Sequence, residues 1–352
     1  MPLLETAWIE HSPEIKADPL QTPKAREQSH DRQSNQTSDK TLPPSSVAND
    51  SELFCWLASL HKGVRIGGFD RRVNRDRRYR KAHVEQKDLS QMLETAIVAA
   101  RLGGQHAMEQ INNVKATVKN GNELVTQADR QCQEIIIGRI KETFPDHGFI
   151  AEEGEDGKLF KRVPRGTPEI WWAIDPIDGT NNFAHGIPVF TVSIAAMLDG
   201  RPIVGIIFDP ATESMYSAVR DGEAYLNGRR LSAGEEDLTP FAGIGLDNHF
   251  PDPPPAGAGD LVFKARFRNF GTTALHLAFV ASGGLVGTVI CTPKLWDIAA
   301  GMVIAEAAGA IVTDWQGQAI FPVDLAHYEG HAFPSIVANK LVHPKLLATL
   351  NS

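Results

Sequence analysis

The sequence predicts an α/β fold, and three observations carry that prediction. Apolar residues recur at helical spacing behind Asp88, strand-like runs follow one another between Phe190 and Ala218, and the two patterns alternate to the C-terminus without an internal repeat. At 352 residues, with 42% apolar and 22% charged side chains, the chain has the composition of an ordinary globular protein able to bury a large core in one or two packed units. Its formal charge of −8 disfavours a nucleic-acid partner. Cys55, Cys132 and Cys291 are widely spaced with no Cys-x-x-Cys, so neither a disulfide framework nor a zinc knuckle is predicted. No apolar run approaches the ~20 residues of a membrane span, and no basic-then-apolar leader opens the chain. The cytoplasm is the expected compartment.

Residues 1–83 read as an N-terminal extension. Up to about Asp50 the Gln, Ser, Asp, Lys and Pro content is too polar to offset the entropy of folding, so disorder is expected. Leu53 to Leu60 is an apolar patch fit for a helical turn. Arg71 to Lys81 is a basic run, read as a solvated linker, with contact to RNA or an acidic surface as the competing reading. Residues 89–352 hold 20 basic and 30 acidic side chains, so the negative charge belongs to the folded part.

From Asp88, a plausible N-cap, Leu89, Met92, Leu93, Ala96, Ile97, Ala100 and Leu102 define a first helix, extended past Gly103-Gly104 towards Val114. Val118 to Asn122 reads as a turn, and Glu123 to Asp129 as the opening of a second helix that Pro145 ends. Phe149-Ile150 is a short strand delivering Glu152-Glu153. Trp171 to Ile174 reads as a buried strand leading into Asp175-Pro176-Ile177-Asp178-Gly179-Thr180, and Pro176, lacking an N–H, is expected to take the chain out of the sheet. Phe190–Leu198, Pro202–Phe208 and Ser214–Ala218 are consecutive strands, and Asn227-Gly228 marks a hairpin. Pro251 to Gly259 is a surface loop. A helix starts near Thr272, a strand spans Val286 to Cys291, and an alanine-rich helix from Ile298 to Ala307 follows Trp296-Asp297. A last strand pair and a helix from Pro344 finish the chain.

The stretch around Asp175 carries the chemistry. Two carboxylates converging across one turn repel unless a cation lies between them, and oxygen-only ligands favour Mg²⁺ before Zn²⁺, with the Ile177 carbonyl a further donor. Gly179 permits the tight turn, and Thr180 stands where a helix start offers N–H groups to an anion. Taken singly, each acid has an ordinary role: Asp297 as an N-cap, Asp129 as a complement to a helix dipole, Glu152-Glu153 in a solvated loop. The repetition of acids at strand ends and helix starts, flanked by apolar residues and without basic neighbours, points instead to a buried metal site. His185 and His276 read as hydrogen-bonded core residues.

On these residues the chain from about Asp88 onward resembles the inositol monophosphatase family of Mg²⁺-dependent, lithium-sensitive phosphatases. The carrying motifs are Leu124-Val125-Thr126-Gln127-Ala128-Asp129, Ile150-Ala151-Glu152-Glu153, Trp172 to Phe183, and Trp296-Asp297-Ile298-Ala299-Ala300-Gly301. The resemblance implies a layered αβαβα sandwich of the inositol monophosphatase and fructose-1,6-bisphosphatase type over residues 84–352, usually a homodimer, cleaving phosphate monoesters of small metabolites. It implies one Mg²⁺ on Glu153, Asp175 and the Ile177 carbonyl, a second on Asp175, Asp178 and Asp297, and a third, weaker ion facing Glu153. Asp129, Glu153 and Thr180 would be catalytic, with Asp129 and Thr180 orienting the attacking water. The backbone of Gly179 and Thr180 would hold phosphate, and Gly271, Thr272 and Thr273 match a substrate-contacting helix start. Ala151, Asn181 and Ala308 are small departures from the pattern. Ile290 stands where animal members carry a glutamate for the inositol hydroxyls, so fructose-1,6-bisphosphate, histidinol phosphate and a 3′-phosphonucleotide stay open beside inositol 1-phosphate. Arg268 and Lys294 are candidates for a second phosphate or a carboxylate. A regulatory or RNA-associated protein working through the basic N-terminal run is the reading from another class.

Overall fold

The computed structural model describes residues 84–114, 116–119, 123–247, 250–251, 254–255 and 257–352. The extension 1–83, with its apolar patch and basic run, and the turn residues Asn120 to Asn122 lie outside them. Helix α1 (Gln86–Gln110) runs through Gly103 and Gly104, with Ala96, Ala99 and Ala100 fully buried. Residues Val118 and Lys119, expected in the turn, belong to strand β1 (Ala116–Lys119), which pairs antiparallel with β2 (Glu123–Thr126). The second helix therefore does not open at Glu123. β-Branched Val125 and Thr126 suit a strand, and the ladder satisfies their backbone until α2 (Gln127–Thr143) starts behind an extended Thr126.

Strands β3 (Gly148–Ala151), β4 (Phe160–Arg162) and β5 (Ile170–Asp178) open a sheet. They are followed by β6 (Thr191–Leu198), β7 (Arg201–Asp209), β8 (Ser214–Val219), β9 (Ala224–Leu226) and β10 (Arg229–Arg230). The order is β10-β9-β8-β7-β6-β5-β3-β4, antiparallel except for the parallel pair β3–β5. Pro176 does not end β5. The strand continues to Asp178 with a register shift against β6 between Asp175 and Asp178, and the Ile177 N–H leaves the ladder to donate to Asp175 Oδ1 at 2.9 Å. An irregularity of this kind is where a sheet accepts a proline, and it re-aims both carboxylates. The Asn227-Gly228 turn has φ 47° and 78°, as a two-residue hairpin of this type demands.

Beyond it come β11 (Gly243–Leu246), α4 (Ala258–Lys264) and β12 (Arg266–Arg268), three elements not read from the sequence; α4 takes the last two residues of the expected Pro251–Gly259 loop. Helix α5 (Thr273–Ala281), β13 (Gly287–Ile290), α6 (Leu295–Ala307), β14 (Ile311–Asp314), β15 (Ser335–Ala338) and α7 (His343–Leu350) complete the chain. The second sheet runs β12-β11-β13-β15-β14, with β11 parallel to both β12 and β13. Helix α6 begins at Leu295, so Asp297 lies inside its first turn and is not the N-cap.

Alternation along β5 shows how the layers stack. Trp172 and Ile174 pack with α1 and α2, while Trp171 and Ala173 pack with α5 and α6 on the other face. The five-stranded sheet meets α5 and α6 through Ile290 and Val337, and turns Ile244, Val289 and Ile336 towards α4 and α7. This is the five-layer αβαβα sandwich. No helix among the described residues is long and apolar enough to cross a membrane.

Candidate active site

Four elements deliver the acids to one region. From the first turn of α2, Asp129 Oδ2 accepts from the Thr126 N–H at 2.8 Å and its hydroxyl at 2.5 Å, a reciprocal cap. Thr180, at the start of the short α3 (Thr180–Ala184), donates its hydroxyl within reach of both Asp129 Oδ1 (3.1 Å) and the Ile177 carbonyl (3.0 Å). Gly179 precedes it at φ 103°, and a Cβ there would stand 3.1 Å from the Gly271 carbonyl, so the turn needs glycine twice over. Asn182 ties this turn to the start of α5, donating to Val189 O at 2.8 Å and Phe270 O at 2.7 Å.

The two glutamates separate. Ala151 pairs with Ile174 across β3 and β5, so the next register position sets Glu152 beside Asp175, and the Glu152 N–H donates to Ile174 O at 3.3 Å. Glu152 is accordingly one of the charges that raise the Asp175 pKa, while Glu153 is buried and acts on Asp129. The sequence put Glu153, not Glu152, with Asp175; neighbours in parallel register share a face, and only the register reveals which of two adjacent acids that is. Gln133, one turn beyond Asp129 on α2, was also missed. Its side chain clamps the Glu153 backbone, accepting from the N–H at 2.9 Å and donating to the carbonyl at 2.6 Å.

Asp178 accepts from the Thr272 hydroxyl at 2.5 Å and from the N–H groups of Thr273 (3.2 Å) and Ala274 (2.6 Å), docking the start of α5. The Thr272 hydroxyl is thus committed to Asp178, and Gly271, Thr272 and Thr273 line the adjoining cavity. Asp297 accepts from the Lys294 N–H at 2.7 Å and is hydrogen-bonded to Asp175. Burial pushes Asp129 and Asp178 up to about 6, and burial with the charge of Asp178 pushes Asp297 up to about 7. Asp175 lies well above the usual carboxylate range, through burial first and then the charges of Glu152, Asp178 and Asp297.

Among the described residues, no three His, Cys, Asp or Glu side chains already form a closed metal cage. The acids meet pairwise. Their chemistry nevertheless fits a hard divalent cation: all donors are oxygens, they are packed among apolar residues, and burial raises all three pKa values, joined at Asp175 and Asp297 by the charges of neighbouring acids. A cavity of about 190 Å³ opens beside Asp178 and Asp297, lined also by Asp247, Asn269, His276 and Thr292. None of these four was singled out as a site residue. His276 is a buried, hydrogen-bonded histidine as expected, its Nε2 accepting from the Phe270 N–H at 3.1 Å, yet it lines the cavity as well. Ile290 is fully buried in the core, and neither Arg268 nor Lys294 is among the lining residues.

A five-layer α/β sandwich with an acid cluster where its central strands end defines a class of protein, and the comparisons agree on which. The profile of the inositol monophosphatase family matches residues 88–352, and the chain belongs to that family. It is similar to Nus factor SuhB of Vibrio cholerae, 36% identical over 239 residues that cover 64% of this chain and 86% of the relative. It is also similar to inositol-1-monophosphatase of Rhizobium meliloti, 34% identical over 219 residues, 59% of this chain and 78% of that one. Among solved structures, extragenic suppressor protein suhB from Bartonella henselae superposes with a TM-score of 0.66 at 28% identity, covering 74% of this chain and 99% of its own.

Proposed function

We propose that the chain is a Mg²⁺-dependent phosphomonoesterase that hydrolyses a small phosphorylated metabolite of the inositol 1-phosphate kind by direct attack of water. The observation that carries this is the pair Asp129–Thr180 beside the Asp175–Asp297 contact: a base with its proton relay next to an acid cluster in need of a cation. Glu152, Asp175, Asp178, Asp297 and the Ile177 carbonyl would hold the metal, with Glu153 supporting Asp129. Bound there, Mg²⁺ would neutralise the phosphate and the departing alkoxide. The rest is done by the chain. Thr180 takes a hydrogen bond from the attacking water and passes its own to Asp129, whose pKa near 6 suits a base at neutral pH. The backbone N–H groups of Gly179 and Thr180 hold the phosphate in line with that water. A homodimer in the cytoplasm is part of the same reading; Cys132 and Cys291, both buried free thiols, suit a reducing compartment.

The printed name Nus factor, borne by the Vibrio relative, favours a second reading in which a regulatory role rests on this fold. The experiment is phosphate release by the full chain, with Mg²⁺ and with EDTA, from inositol 1-phosphate, fructose-1,6-bisphosphate, histidinol phosphate and 3′-phosphoadenosine 5′-phosphate. Mg²⁺-dependent release that lithium inhibits in competition with Mg²⁺ is expected. No release from folded, metal-loaded protein would leave the regulatory reading standing, and there truncation before Asp88 should abolish function while Asp178→Asn spares it.

A further inference from the structure

Between β14 and β15 the chain makes a long excursion, 315–334, without helix or strand. Connections of that length inside a packed fold usually have a task. This one is tied down along its course. The Val323 N–H donates to Gly200 O at 2.9 Å in the β6–β7 turn, Lys161 Nζ on β4 donates to Ala326 O at 2.7 Å and Tyr328 O at 2.9 Å, and the Phe333 N–H donates to Pro293 O at 2.9 Å. Within it lies Tyr328, fully buried, its ring edge-on to Trp296 with centroids 6.1 Å apart and stacked on Phe333 at 5.7 Å. The Tyr328 hydroxyl donates to His331 O at 3.0 Å and accepts from the Leu295 N–H at 3.0 Å. That N–H is one of the donors a helix start leaves without an intrahelical partner, and the phenol caps it from outside α6.

β6 holds the same turn. Trp171, Ala173 and Asp175 alternate onto the face of β5 that meets α6, and Ser193 is the antiparallel partner of Asp175, so the two side chains share that face. Ser193, fully buried, donates its hydroxyl to Trp296 O at 2.8 Å. That carbonyl belongs to the peptide whose N–H is Asp297's own. Asp297 closes the turn by accepting from the Lys294 N–H at 2.7 Å. First turns fray where nothing holds them, and Asp175 and Asp297 repel when both are charged. Both hydroxyls bond to backbone groups, so they act on Asp297 through the chain that carries it.

We infer that Tyr328 and Ser193 are positioning residues for the metal site: they fix the first turn of α6 and thereby hold the Asp297 carboxylate at Asp175 against their repulsion, where one divalent cation can be shared by the two. That ion is the one the phosphatase reading requires, and the assignment rests on the metal part of that reading.

The test titrates Mg²⁺ by calorimetry into the metal-stripped full chain, as wild type, Tyr328→Phe, Ser193→Ala and Asn339→Ala, with the first two substitutions also made on Asp297→Asn. Phenylalanine keeps the ring between Trp296 and Phe333 and removes only the hydroxyl; alanine at 193 leaves the Trp296 carbonyl to the helix. Asn339 is the structural control. Its Oδ1 accepts from the Leu341 and Val342 N–H groups at 3.0 Å each, beyond the end of β15 that pairs with the start of β13, Ala338 with Gly287. Tyr328→Phe and Ser193→Ala should each weaken Mg²⁺ binding by about tenfold, as removal of a ligand's supporting partner does, and lower kcat on 4-nitrophenyl phosphate with it. On Asp297→Asn the same substitutions should change binding and kcat by less than about twofold, because the residue they act through is gone. Asn339→Ala should lower Tm and leave Mg²⁺ affinity unchanged. If Tyr328→Phe does not fold, Ser193→Ala carries the same prediction. Wild-type affinity in both variants, or an undiminished loss on Asp297→Asn, would overturn the inference and leave the phosphatase reading standing. Mg²⁺ binding without phosphate release would end the phosphatase reading, and the binding cycle would then decide by itself. A wild-type chain that binds no Mg²⁺ would overturn both.

Discussion

Asp297 and Asp178 differ in what they tolerate. Both oxygens of Asp178 accept from hydroxyl and N–H groups at the start of α5, so an amide there would aim hydrogens at hydrogens. Asp297 accepts from one backbone N–H and stands by Asp175 and Asp178 with the Lys294 charge a lesser influence, so Asp297→Asn keeps that bond and removes one crowded charge. Turnover should fall by on the order of a hundredfold, while the metal-free variant should melt higher than the metal-free wild type at pH 8. The pH dependence follows from the same groups. The folded pKa values of about 6 for Asp129 and Asp178 and about 7 for Asp297 exceed the ~4 of an unfolded carboxyl. Their stabilising contribution is complete below pH ~4 and is lost as the pH rises through 6 to 7. Mg²⁺ bound at these acids as proposed would offset that loss, so the difference in Tm between Mg²⁺ and EDTA should widen from pH 5 to pH 8. A constant difference across that range would remove these acids from any metal site.

Between elements, the spacing of β7 and α6 decides whether Asp297 reaches Asp175. A Cβ at Gly205 would stand 2.5 Å from the Ala300 carbonyl and 2.5 Å from Val303 Cγ1, so the helix lies directly on the strand. Gly205→Ala must push α6 outward, at a cost of about 1–3 kcal/mol by overpacking, and kcat should fall with it because Asp297 rides on that helix. Gly138→Ala is the control. Nothing lies within 4 Å of a Cβ there, in the middle of α2, and alanine should be neutral or stabilise by about 0.5–1 kcal/mol. Urea titrations and kinetics on both variants separate the two cases; equal stability of Gly205→Ala and wild type would show that the layers can part without strain.

For the molecule as a whole, three exposed phenylalanines mark the region of the β12 edge: Phe241 at 82% and Phe263 at 85% exposure, and Phe267 at 47% on the strand itself. Aromatic side chains left in water beside an unpaired strand edge are surface that a second copy of the chain can cover. The proposed homodimer should therefore use this edge. Phe263→Glu with Phe267→Glu should raise the dimer dissociation constant at least tenfold in light scattering or sedimentation. A wild-type chain that is monomeric at micromolar concentration would end the proposal.

Composition and periodicity alone determined the alternating α/β order, the buried strand before Asp175, the helix starts at Thr272 and near Trp296, and the acids themselves, because each is written in local spacing and in side-chain chemistry. What depends on partners across the sheet was not legible. Pro176 breaks a strand by local rule, but β6 holds it through a register shift; Glu123 to Thr126 read as helix until β1 paired with it. Glu152 and Glu153 are equivalent in a motif, and only the β3–β5 register sets Glu152 beside Asp175. Gln133, Asp247, Asn269 and Thr292 carry no signal of their own in the sequence. Helix packing and three parallel strand ends place them beside the acids and in the wall of the adjoining cavity. Chemistry is a property of single residues, whereas adjacency is a property of the fold, and here adjacency determines which of two neighbouring acids lies beside Asp175 and which polar side chains line the cavity next to Asp178 and Asp297.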